Sequence, residues 1–244
     1  MMSLLNTPKQ TTTSRFFAPN PEVDQHIEQL LKVIDLRKNG ETVDQQKQRG
    51  ISYRLSYGAA LAHIKELARD IAPCNELAVR LWYRQIRETM ILATLVADPL
   101  SLAPNEALQW CDLIANPELA EQMAINLLGK MPKLPEIAPQ LLASSDGNIR
   151  ATALLALGWS LRNNILTSTN ILNILPNLIP TSKETSAIEK RGISHLIRQL
   201  ARSGNDGIQQ ATRWLQQATD ANIDGWANTI EEVRTELAWL NESK

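Results

Sequence analysis

The segment Lys190 to Arg202 carries the side chains with the plainest chemical use. At about 100° per residue in a helix, Arg191, His195, Arg198 and Arg202 share one face, while Ile193, Leu196, Ile197 and Leu200 point largely elsewhere. One face packs and the other offers positive charge. Guanidinium groups in a row donate to phosphate oxygens, the contacts that position proteins on nucleic acid. Simpler roles exist for each. Arg198 and Arg202 precede Ser203-Gly204 in the last turn, where a cation favours the negative end of the helix dipole by roughly 0.3 to 1 kcal/mol. Arg191 lies near the helix start, where positive charge is unfavourable, and either a phosphate or a carboxylate on a neighbouring helix accounts for it.

Other basic residues fall at helical spacing too. Arg80, Arg84 and Arg87 stand at i, i+4 and i+7 beside Trp82 and Tyr83; Arg150 opens the apolar run Asn148 to Leu157, and Arg162 closes the same helix. For Arg80, Arg87 and Arg150 an ion pair with an acidic residue of the preceding repeat is the simplest role. Metal and nucleotide chemistry find no support. His26, His63 and His195 are too far apart for a local metal motif, Cys74 and Cys111 lack ligand spacing, and no glycine-rich phosphate loop occurs, so no metal or cofactor is expected. Two cysteines are also too few for a disulfide framework and fit a reducing cytoplasm.

The elements that must position these residues repeat. Ile86 to Ala97, Pro117 to Leu128, Asn148 to Leu161 and Thr229 to Leu240 resemble Lys190 to Arg202, each an apolar helical run, with starts recurring at roughly 30 to 40 residues, a helical-solenoid period. Before them, Ile27, Leu30, Leu31 and Ile34 predict a helix ending near Asn39-Gly40; a second is predicted from about Tyr57 to Ile71, and a third is capped by Asn75. Proline breaks the pattern at 99 and 104, at 132, 135 and 139, and at 176 and 180. Thr181, Ser182 and Thr185 are the candidate caps for the Ala187 to Arg202 helix. Trp82, Trp110, Trp159, Trp214 and Trp239 are expected to pack between helices. Residues 1–20 are expected to form a flexible arm, with Phe16-Phe17 folding back on the first helix, and residues 21–244 a single all-α domain.

With 43% hydrophobic and 21% charged residues, the 244-residue chain can bury a substantial core. Its net charge of -1 excludes a surface coated in positive charge, so any nucleic-acid site must be local. The sequence shows no signal peptide and no apolar stretch of membrane-spanning length; a cytoplasmic monomer is expected.

Order and spacing add a family resemblance. The run Leu77 to Pro99, with its Leu-Trp and Glu88, resembles a segment of the DNA alkylation repair proteins, the HEAT-like alkylpurine DNA glycosylases. Ile114 to Leu128 aligns without a gap with that family's Trp-x-x-x-Asp segment, Ile149 to Ala153 resembles its Arg-Ala-Ala stretch, and Lys190 to Arg202 resembles a later helix with Trp and Leu-Arg. The resemblance covers the chain from about Gly50 onward. It implies a HEAT-like solenoid whose concave cationic face cradles duplex DNA, with paired Trp residues at the lesion's sugar and an Asp assisting departure of an alkylated base. Carried over, the first Trp falls on Pro117, the Asp on Glu121, the Arg on Arg150, the second Trp on His195 and the following Arg on Arg198.

Both aromatic positions are therefore changed, while Glu121 keeps a carboxylate able to stabilise a sugar cation or orient water. The expectation is a DNA-binding member of the family, acting on duplex, damaged or branched DNA through Arg150, Arg191, His195, Arg198 and Arg202, and lacking the usual base-excision site. Two alternatives remain: an active N-glycosylase using Glu121 as its catalytic residue, and a solenoid scaffold for a protein partner. Clustering of the arginines would favour DNA, and dispersal into salt bridges the scaffold.

Overall fold

Repeated local signals build the repeated helices. Asn116 accepts a hydrogen bond from Leu119 N at 3.0 Å with Pro117 in the first turn, Asp146 accepts from Asn148 N at 2.7 Å, and Ser186 forms a reciprocal capping box with Glu189. These start the helices α7 (Pro117–Asn126), α9 (Gly147–Arg162) and α10 (Ala187–Arg202) of the computed structural model, which describes residues 15–242. The other helices are α1 (Pro21–Asp35), α2 (Gly40–Gln48), α3 (Leu61–Arg69), α4 (Asn75–Trp82), α5 (Arg87–Val96), α6 (Pro104–Cys111), α8 (Leu134–Leu142), α11 (Asn205–Ala221) and α12 (Ala227–Glu242). No strand occurs among the described residues, where a single isolated bridge joins Leu55 and Ile86. Of the expected arm, residues 1–14 lie outside the described residues; Phe16 is fully exposed rather than folded on α1, and Phe17 meets Tyr83 and Arg80 at the end of α4.

The five related stretches become one layer. α5 packs on α7, α7 on α9, α9 on α10 and α10 on α12. A second layer covers them from behind, with α4 on α5, α8 on both α6 and α9, and α11 on α10 and α12. This is the all-α, HEAT-like stack read from the sequence. Between α9 and α10 the second layer has only two short 3-10 turns, Ser168–Ile171 and Leu175–Leu178, in the stretch interrupted by Pro176 and Pro180. The core is continuous from Ile27 to Leu237, and Trp82 and Trp110 stack within it with ring centroids 4.9 Å apart.

Several expectations about local structure need correction. Asn39 does not end a helix: its side chain accepts from Thr42 N at 3.0 Å and so opens α2, a short polar helix with no apolar stripe to announce it. Residues 57–60 are not helical: buried Glu88 takes the N–H groups of Tyr57, Gly58 and Ala59, and Gly58 adopts φ +76° against the Asn39 carbonyl. Asn75 sits inside its helix, where its side chain accepts from Asp98 N at 2.8 Å and ties α4 to the connection after α5. Among the tryptophans, Trp214 is buried as expected, whereas Trp239 is 58% exposed and Trp159 only partly covered. For α10 the cap is Ser186 rather than Thr181, Ser182 or Thr185.

The most extensive helix–helix contact joins α9 to α10. A Cβ added at Gly158 would stand 2.4 Å from His195 Cδ2, and one added at Gly192 would stand 2.9 Å from Leu154 Cβ. Each helix thus presents a glycine to the other, and no larger residue fits without movement. Gly158→Ala therefore has opposing effects: overpacking costs about 1 to 3 kcal/mol, and the better helix former returns about 0.5 to 1 kcal/mol. Urea denaturation is expected to show a net loss of up to about 2.5 kcal/mol; a stabilised variant would contradict the close approach.

Candidate nucleic-acid interface

α10 presents its basic stripe as the spacing predicts, with Arg191 and Arg202 exposed and His195 and Arg198 half-buried between them. Most of this charge is already matched. Arg191 donates to Glu121 of α7, so the pair bridges the two neighbours of α9. Arg202 forms a two-bond fork with Glu236 of α12, both distances 2.7 Å. Arg150 of α9 donates through Nε to Glu189 of α10 at 2.6 Å and through Nη1 to the Ser144 carbonyl at 2.7 Å. Burial alone would raise the Glu189 carboxyl, but the bonds from Arg150 and Ser186 outweigh it and hold it below the usual carboxylate range.

Arg80 pairs back to Asp24 of α1, as expected for a preceding-repeat contact; Arg87 and Arg150 instead reach forward. Arg87, 3% exposed, donates to Glu118 of α7 and to Glu88, and Tyr53 adds its hydroxyl to the same Glu118 at 2.8 Å. Burial and the Glu118 charge push the Tyr53 phenol well above its ordinary range, so it remains a donor. The inter-helix ion pairs thus recur along the layer, from Arg87 to Glu236.

Arg198 differs. Its Nε makes one long bond, 3.4 Å, to the carbonyl of Ser194 in its own helix, and it has no carboxylate partner among the described residues. Arg162 of α9 is likewise without one, and it lies over the ring of Trp159 at 5.0 Å. Trp159 in turn meets His195, ring centroids 5.0 Å apart and tilted by 41°. The position expected to have lost an aromatic thus abuts an indole supplied from the adjacent helix. Sequence reasoning placed Trp159 in the core and gave Arg162 no role; their i, i+3 spacing puts both on one helix face, but only the seam with α10 shows what that face meets.

His195 is the electrostatic probe of this corner. Burial, then the charges of Arg198, Arg162 and Arg202, lower its pKa to about 4, so the ring is neutral at pH 7. Its Nε2 is buried against Gly158 with no partner. On the α12 side, Arg198 and Arg202 line a cleft of about 690 Å³ with Glu231, Glu232, Glu236 and Trp239. The charges of Arg198, Arg162 and Arg202 all act on His195 at the α9–α10 seam.

Two of the excision positions carried over from the resemblance lie in the first half of α7 and the third, His195, on α10. Pro117 is exposed and supplies no aromatic face, and Glu121 is held by Arg191. An ion-paired carboxylate offers less field to a developing sugar cation than a lone one.

Residues 19–223 match a family model described as DNA alkylation repair enzyme. A solved structure described as "A new family of proteins related to the HEAT-like repeat DNA glycosylases with affinity for branched DNA structures" superposes with a TM-score of 0.71 at 18% identity, covering 86% of this chain and 93% of that one. No curated protein matches the chain.

The depressed His195 pKa has a consequence for stability. An unfolded His titrates near 6.5, whereas the folded one stays neutral down to about 4. The unfolded chain therefore takes up the proton first as pH falls. Stability from this residue is complete above pH 6.5 and is lost between about 6.5 and 4, at most about 3 kcal/mol. Urea midpoints of wild type and His195→Gln at pH 7 and pH 4.5 measure it: the wild type should lose more on acidification, and equal losses would contradict the burial described.

Proposed function

The chain belongs to the DNA alkylation repair enzyme family, and we propose that it is a DNA-binding member that does not excise bases by the route the family resemblance implies. The observation that carries the binding is the stripe of Arg191, His195, Arg198 and Arg202 on α10, exposed at its two ends and half-buried between them, beside Arg162 of α9. Net charge is -1, so this local concentration of guanidinium groups, rather than overall attraction, brings the backbone to the face. Arg150, the remaining expected contact, is held by Glu189 and Ser144 and serves the helix stack first.

Two features support the absence of excision. Pro117 and His195 stand where the resemblance places the aromatic pair, and Glu121 is neutralised by Arg191. The solved relative's description names affinity for branched DNA; junctions and forks are accordingly the forms this chain is proposed to prefer. A face held between helices by ion pairs also favours a second reading, a scaffold for a protein partner, with the mixed-charge cleft between α10 and α12 and its exposed Trp239 as the docking point.

Binding to intact duplex, abasic duplex and four-way junction at two salt concentrations, followed by base release from methylated DNA, separates these readings. The expected result is salt-sensitive binding, strongest on the junction, with N7-methylguanine and N3-methyladenine released no faster than they are lost spontaneously. Release that disappears in Glu121→Gln with DNA affinity retained would establish the glycosylase instead, and absence of DNA binding at low salt would leave the scaffold.

A further inference from the structure

The guanidinium groups of this face fall into two sets. Arg150, Arg191 and Arg202 each hold a carboxylate on a neighbouring helix. Arg162 and Arg198 hold none among the described residues, although both lie close enough to His195 for their charges to act on it. Two like charges around one half-buried ring repel unless an anion stands between them. The acidic side chains that line the cleft with Arg198 have other partners: Glu236 takes the fork of Arg202, Glu232 accepts from Ser194 and Glu231 accepts from Arg234.

The two groups are also held in a form suited to one kind of anion. Arg162 stands over the Trp159 ring, its Cζ 5.0 Å from the ring centroid, and the guanidinium carries planar donors that match phosphate oxygens. Arg198 emerges one turn after Ser194, anchored only through its Nε. The His195 ring between them carries no proton-borne charge at pH 7 and adds no third cation. Paired forks around a neutral ring suit a tetrahedral oxyanion with several acceptor oxygens.

We propose that Arg162 and Arg198, set around the Trp159–His195 ring pair, form a phosphate site that grips the DNA backbone at the α9–α10 seam, while the ion-paired arginines hold the helices together. This rests on the DNA-binding reading and assigns Arg162, a residue outside the basic stripe of α10, to the contact. The ring pair is the floor of the site, and its approach is set by Gly158.

Fluorescence anisotropy of labelled duplex DNA over a series of salt concentrations tests this in wild type, Arg162→Gln, Arg198→Gln, the double variant and Arg191→Gln. Removing one phosphate-binding guanidinium lowers the magnitude of the log K against log[salt] slope by about 0.9. Arg162→Gln and Arg198→Gln should each show that decrease, the double variant about twice as much, and Arg191→Gln clearly less. Arg162→Lys, which keeps the charge, should retain the wild-type slope, showing that the effect comes from charge and not from disturbed packing on Trp159. If wild type binds and Arg162→Gln keeps the full slope, the phosphate site is overturned while the DNA reading stands; if wild type binds no DNA at low salt, both fall.

Discussion

The approach of α9 to α10 governs this face. Gly158 lies under His195 and Gly192 lies over Leu154, and a side chain at either glycine would force the helices apart. Mid-helix glycine costs roughly 0.5 to 1 kcal/mol relative to alanine, so both helices give up local stability where they meet. In return the seam brings a ring from each helix within 5.0 Å, sets Arg162 over Trp159 and keeps Arg198 near enough for its charge to act on His195. The same closeness leaves His195 Nε2 without a partner and holds its ring neutral. Packing, protonation state and charge at the seam follow from one steric condition.

Charge is apportioned along the layer in a way that a count of arginines hides. Arg87 to Glu118, Arg191 to Glu121, Arg150 to Glu189 and Arg202 to Glu236 each link one helix of the layer to another. The first is almost wholly buried, and losing one partner there strands a charge away from water, typically at about 3 to 5 kcal/mol. The others are partly exposed, where such pairs contribute about 0 to 1 kcal/mol, and water competes for both partners. The most deeply buried of these pairs thus joins α5 to α7, and the partly exposed ones converge on α10.

Much of the fold was legible because it rests on repetition. The five apolar stretches are the five helices of one layer, and proline marks the joints. What escaped depends on contacts distant in sequence. Asn39 reads equally as the end of one helix or the start of the next until Thr42 N is seen to bond it. Residues 57–60 have a helical pattern, and only Glu88, some thirty positions on, draws their N–H groups out of a helix. At the site, the stripe on α10 and the changes at Pro117 and His195 were readable from spacing and resemblance. The partners of its arginines were not, because a carboxylate such as Glu236 has nothing local to distinguish it from a solvated one. Trp159 was indistinguishable from a core residue for the same reason.

Arginines with and without a carboxylate partner do different work on this face, and the side-chain Nε–Hε resonances of arginine report it directly. With 15N-labelled protein and junction DNA added in steps at constant salt, Arg162 and Arg198 should shift and broaden first and most. Arg87, whose guanidinium is locked to Glu118 and Glu88, should remain unmoved, with Arg150 close to it. Uniform small shifts across all of them, or the largest changes at Arg87 and Arg150, would contradict this division of roles.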